Sequence, residues 1–146
     1  MAITSAICNS FKQEILEAEH NFTASTGNTF NLALYDSDAT LGAGTTAYTT
    51  SEEITNTSGT ADSAKGKALT SVTPTLDSST AVCDFADVSW TSASFTARGC
   101  LIFNDSHSTD AAVCAIDFGG DKTATSGTFT IQFPAAAAST AIIRIA

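Results

Sequence analysis

Charge is scarce in this chain, and basic charge is scarcest. Only 14% of the 146 residues are Asp, Glu, Lys or Arg, against roughly 25% in an ordinary soluble domain, and Lys plus Arg number 6 against 15 acidic residues. The resulting net charge of -9 repels a phosphate backbone, which excludes nucleic acid as a partner. Long apolar runs are missing too: none approaches the ~20 residues that a membrane-crossing helix requires, so no membrane partner is expected. Histidine is limited to His20 and His107, which leaves few groups for proton transfer near neutral pH. The four cysteines, Cys8, Cys83, Cys100 and Cys114, have no Cys-x-x-Cys or Cys-x-x-His pairing and so lack zinc-site spacing. No Gly-x-Ser-x-Gly elbow, phosphate-binding lysine loop, His-Glu-x-x-His pair or acidic calcium-loop series occurs. Asp117-Phe118-Gly119 matches three letters of the kinase magnesium motif, but the accompanying catalytic loop, glycine-rich loop and chain length are missing. The chain therefore reads as non-enzymatic, with no catalytic residues, no metal site and no cofactor.

What is present is hydroxyl and methyl: Ser, Thr and Ala supply more than two fifths of the chain. At this length two domains would each be too small to bury a core unaided, so one domain over 1–146 is expected. The opening residues have neither a basic n-region nor a long apolar run before the acidic stretch at 14–19, which reads as no secretory signal and predicts synthesis in a reducing cytoplasm. Cys83, Cys100 and Cys114 fall in strand-like runs and read as free, buried thiols. Asn21-Phe22-Thr23, Asn56-Thr57-Ser58 and Asn104-Asp105-Ser106 fit the glycosylation sequon, a pattern that so many hydroxyl residues generate by chance.

Hydrophobic spacing predicts one helix, at about 5–18. Ile7, Phe11, Ile15 and Leu16 recur at intervals of three and four, Thr4 or Ser5 is placed to cap it, and polar residues occupy the opposite face. Its apolar stripe can cover a sheet or a neighbouring subunit, which makes Phe11, Ile15 and Leu16 candidate assembly contacts. His20 then falls in a solvated turn at the helix end.

Beyond the helix the period becomes two. Phe30, Leu32 and Leu34 face one way in Thr29-Phe30-Asn31-Leu32-Ala33-Leu34-Tyr35, followed by turn chemistry at 37–44 and a long surface excursion at 45–66 holding one short edge strand near 47–50. Strands are expected at 68–73, limited to an edge by Pro74, at 81–85 and at 88–90. A hairpin follows, with arms at 94–104 and 111–118, in which Gly99 marks a bulge or a close backbone approach. Gly119-Gly120-Asp121-Lys122 reads as a turn, and 128–133 and 141–146 as the last strands. The sum is an all-β, antiparallel β-sandwich, jelly-roll-like, with one short N-terminal helix.

Trp90, near Phe85 and Phe95, is the natural core centre; an exposed aromatic platform for sugar would need a second ring on the same face. Asp84 is placed to pair with Arg98 or Arg144. The loop Asn104-Asp105-Ser106-His107-Ser108-Thr109-Asp110 gathers carboxylates and an imidazole, although hairpin tips are polar in any case.

Four blocks resemble a group of small structural proteins of tailed bacteriophages, including cyanophages. They are the opening Ile3-Thr4-Ser5-Ala6-Ile7-Cys8-Asn9-Ser10-Phe11-Lys12-Gln13-Glu14, the strand Phe30-Asn31-Leu32-Ala33-Leu34-Tyr35, Asp84-Phe85-Ala86-Asp87-Val88-Ser89-Trp90, and Asp117-Phe118-Gly119-Gly120-Asp121-Lys122 through Ile131-Gln132-Phe133-Pro134. The resemblance spans most of the chain, with 45–66 least characteristic. It implies a virion component on the capsid exterior, a decoration or cement protein seated as homotrimers on the major capsid protein. The alternative it leaves open is a tail or fibre adhesin with a carbohydrate-binding sandwich, for which the loop at 104–110 is the candidate.

Overall fold

The structure, a computed structural model, describes residues 2–55 and 65–146. Among them are β1 (Ala6–Ile7), α1 (Asn9–Leu16), β2 (Phe30–Tyr35), β3 (Lys67–Ala68), β4 (Ser71–Asp77), β5 (Thr80–Phe85), β6 (Val88–Asn104), β7 (Ala111–Ile131) and β8 (Ile143–Ile145). Every named strand pair is antiparallel, in a large sheet ordered β1-β7-β6-β2-β3 and a small one ordered β4-β5-β8. The fold is all-β and sandwich-like, as the alternating pattern predicts. Aromatic rings join the two sheets: Phe30 of β2 lies 5.9 Å from Phe85 of β5, and Phe22 stacks on Phe30 at 4.2 Å. Trp90 is buried against Phe95 and Phe129.

The predicted helix is cut short at its start. Residues 6–7 pair with Cys114 and Ala115 as β1, and Ile3 bridges Leu41. The exposed edge of β7 offers backbone groups that need partners, and Ile3 and Ile7 are β-branched, so pairing prevails over helical spacing. Cys8, with no side-chain cap bond, replaces Thr4 or Ser5 at the N-cap; the Ser5 hydroxyl instead accepts a 2.9 Å bond from the Asp117 N–H. Ala18, at φ 62°, turns the chain away after the last helical turn.

β2 is buried at all six positions, so the face opposite Phe30, Leu32 and Leu34 is covered as well. Part of the 45–66 excursion lies against it, with Tyr35 Oη donating to the Thr49 carbonyl at 2.7 Å and Ile54 N to Leu34 O at 2.8 Å, and Tyr48 stacks on Phe103 of the neighbouring β6 at 4.8 Å. The expected edge strand at 47–50 amounts to one bridge, Ala47 to Ala111. The rest of the excursion, 56–64, and with it the Asn56 sequon, lies outside the described residues; Asn104 is fully buried and Asn21 is exposed.

The expected short strands at 88–90, 94–104, 111–118 and 128–133 merge into one long hairpin, β6–β7. The glycine pair expected to make a turn makes a bulge instead. Between the pairs Gly99↔Asp117 and Ala97↔Lys122, β6 advances two residues and β7 five, with Gly119 at φ 74°. Arg98 Nε donates to Asp121 across this bulge at 2.8 Å. At Gly99 any Cβ would fall 2.4 Å from the Ile116 carbonyl oxygen, the close approach that the sequence suggested. Pro74 sits in β4, an edge strand whose pairing with β5 shifts register at that point.

Candidate functional site

An apolar groove of about 510 Å³ lies between α1 and the small sheet. Phe11 and Ile15 form the helical wall, Val82 and Cys83 of β5 the floor, and Ile143 and Ile145 of β8 the far side. Of the three candidate assembly contacts, Phe11 is buried in the protein's own core, Ile15 is half-buried, and Leu16 is 88% exposed. Helical spacing found the first wall; the opposite wall depends on β8 joining β5, which no local pattern encodes.

The end of the helix is held by His20, which corrects the expected solvated turn. Its side chain is wholly inaccessible, with Nε2 2.8 Å from Glu14 Oε2 and Nδ1 3.1 Å from Asn104 Nδ2. The same Asn104 amide donates to the Glu19 carbonyl at 3.3 Å, which fixes its orientation and makes His20 Nδ1 an acceptor and Nε2 a donor. Phe11 lies 4.8 Å from the imidazole and His107 stacks at 6.2 Å. Burial of an aromatic among Phe11, Phe22 and Phe30 is favourable once both ring nitrogens have partners, and Asn104 supplies the missing one from the hairpin.

The loop at 104–110 is occupied by its own neighbours. The Lys65 ammonium lies 3.2 Å from Asp105 and 2.9 Å from Asp110, and these carboxylates, Asp110 foremost, raise the lysine above its ordinary value. His107 Nδ1 is 3.0 Å from the Thr109 hydroxyl and its Nε2 is 3.5 Å from Glu19. Asp84 joins neither proposed arginine: its carboxylate accepts from Phe85 N, Arg98 pairs with Asp121, and Arg144 donates to the Ala138 carbonyl. β5 places Asp84 opposite Val72, and Arg144 opposite Val82, so the register separates them.

Sequence reading missed one acidic group, Asp36, Asp38 and Glu52, whose carboxylate oxygens lie within 4.8 Å of one another. Asp36 Oδ1 accepts from Asp38 N at 2.9 Å and Asp36 N donates to Glu52 O at 3.1 Å, so turn chemistry accounts for the gathering. All four cysteines are free and buried. Burial pushes the Cys83 thiol up to about 12, with Asp84 adding to it, and Cys8 up to about 11, with Glu14 adding to it. Burial raises Cys100 and Cys114 further. Such thiols stay protonated at neutral pH and make weak nucleophiles and poor metal ligands.

No family model matches the chain, and no curated protein or solved structure matches it either.

Proposed function

We propose that the protein is a non-enzymatic component of a tailed-phage virion, a decoration or cement protein that seats as a trimer on the major capsid protein and stabilises the shell. The observation that carries this reading is where the apolar surface lies. Among the described residues, the four exposed large hydrophobic side chains, Leu16, Val72, Leu76 and Ile145, belong to α1 or to the small sheet, the elements that wall the groove. Apolar side chains left in water on one pair of elements favour a surface that becomes covered on assembly. Low charge and abundant hydroxyls suit contacts made by methyl packing and hydrogen bonds, with few salt bridges.

The test is co-sedimentation of the purified chain with phage capsids stripped of decoration protein, together with capsid survival on heating. Saturable binding with a gain in heat resistance is expected, lost in Leu16→Asp and Ile145→Asp. A chain that leaves stripped capsids unbound and unprotected would overturn the reading.

A further inference from the structure

Phe118 and Phe129 stand eleven residues apart on β7, a span of about 36 Å at the ~3.3 Å per residue of a straight strand. Their ring centroids are 6.2 Å apart. The strand is bent into a curl, by the bulge at Gly119 and by further register shifts between Trp90 and Phe95 of its partner. The curl borders an open concavity of about 490 Å³ lined by Phe118, Lys122, Thr128, Phe129, Thr130 and Gln132. It lies on the β6–β7 hairpin, away from the groove beside α1, and does not depend on the capsid reading.

The lining has two parts. Phe118 and Phe129 are half-buried, and Phe129 is backed by Phe95 at 4.9 Å and Trp90 at 6.0 Å, so the floor is apolar and braced from behind. The rim is exposed and polar. Thr130 is tied to Ser89 at 2.8 Å, whereas the side chains of Thr128 and Gln132 have no hydrogen-bond partner among the described residues. Lys122 adds a charge. Every other lysine or arginine side chain donates to a carboxylate, an amide oxygen or a backbone carbonyl, and Lys122 alone among them has no hydrogen bond or ion pair among the described residues.

An apolar floor with a rim of hydroxyl, amide and ammonium is complementary to one ligand chemistry. A pyranose ring presents a face of C–H groups that packs on aromatic rings, hydroxyls around its edge that exchange hydrogen bonds with Thr and Gln, and, where it is oxidised at the terminal carbon, a carboxylate. In a chain of net charge -9 an anionic ligand needs a cation that no carboxylate neutralises, and at this rim Lys122 supplies one. We propose that this curl of β7 binds a hexuronate unit of an acidic polysaccharide, the ring on Phe118 and Phe129 and the carboxylate at Lys122.

The experiment is a titration of the full chain, isotope-labelled and followed by nuclear magnetic resonance and calorimetry, with a galacturonate trimer and with the neutral galactose trimer as comparison. The acidic trimer is expected to bind saturably, with shifts confined to residues 118–132. Lys122→Gln should weaken it about fivefold, the scale of one exposed ion pair, and remove its salt dependence. Gln132→Ala should weaken both trimers, and Phe118→Ala should abolish binding; Lys122→Gln and Gln132→Ala alter exposed side chains, so they test the site whether or not Phe118→Ala folds. No saturable binding of the acidic trimer, equal affinity for the neutral one, or binding unaltered by Lys122→Gln and Gln132→Ala would each overturn the proposal.

Discussion

His20 and Asn104, 84 residues apart in the chain, meet through a 3.1 Å hydrogen bond inside the protein. That bond joins the end of α1 to the tip of the β6–β7 hairpin, and Asn104 extends it to the Glu19 carbonyl and the Asn28 side chain. One amide thus holds three separate pieces of backbone together.

Replacing Asn104 with Ala strands the buried His20 Nδ1 and the Ser106 N–H that the amide oxygen satisfies. Leaving a buried polar group unpaired costs about 1–3 kcal/mol, so Asn104→Ala is expected to lower stability by about 2–3 kcal/mol in urea unfolding. A loss below about 0.5 kcal/mol, the scale of ordinary surface substitutions, would show that water replaces the amide without penalty.

Two glycines give a matched pair. At Gly99 a methyl group meets the Ile116 carbonyl and Ile3, whereas at Gly44 it meets nothing within 4 Å. Gly99→Ala should cost about 1–3 kcal/mol through overpacking, with Gly44→Ala near neutral. Thermal midpoints of the two variants measured side by side decide it, and equal midpoints would contradict the tight packing.

The buried thiols set an alkaline limit. Cys83 and Cys8 ionise from 9.0 when unfolded but only at about 12 and about 11 when folded, because burial penalises the thiolate. Between pH 9 and those values the unfolded chain has lost protons that the folded chain retains, so stability present below pH 9 declines as pH rises. Urea midpoints measured from pH 8 to pH 10.5 should fall, and less steeply in Cys83→Ala. Parallel slopes for the two proteins would remove the thiol from the account.

Adjacent faces of α1 should separate folding from assembly. Phe11 is buried against His20 and Phe22, so Phe11→Ala should cost about 3–5 kcal/mol, whereas Leu16→Ala, at an exposed site, should stay within about 0.5 kcal/mol. Deleting residues 1–18, which the helical reading alone would tolerate, removes β1 and Phe11 together and should abolish the fold. Circular dichroism of the three proteins distinguishes these outcomes, and a folded deletion would return the helix to a purely external role.

What the sequence made legible was whatever depends on neighbours along the chain. β2 falls within the alternating run from Thr29 to Tyr35, and Gly99 marks the bulge that was expected there. The helical spacing of Phe11 and Ile15 found one wall of the groove. Decisions made across the chain were hidden. Gly119 and Gly120 look like a turn in isolation, but pairing with β6 continues on either side and absorbs them. The burial of His20 needed Asn104, and the second wall of the groove needed β8. Phe118 and Phe129 are far apart in sequence, and only the curl of β7 brings their rings together.

The long hairpin also dictates an order of events as the chain folds. Its pairs begin with Asn104 and Ala111, seven residues apart, and end with Val88 and Ile131, 43 residues apart. Loop closure costs most per contact at the outset and only about 0.6 kcal/mol for each doubling of length, so zippering from the tip makes each further pair the cheaper next step. The tip is also where Asn104 receives His20, a contact that closes 84 residues of chain, whereas β4 and β5 pair across the short turn at 78–79 and need no such closure. The longest loop belongs to β1, whose Ala6 meets Ala115 across 109 residues, so by the same reasoning the N-terminal strand is added late, onto an edge of β7 that the hairpin has already built.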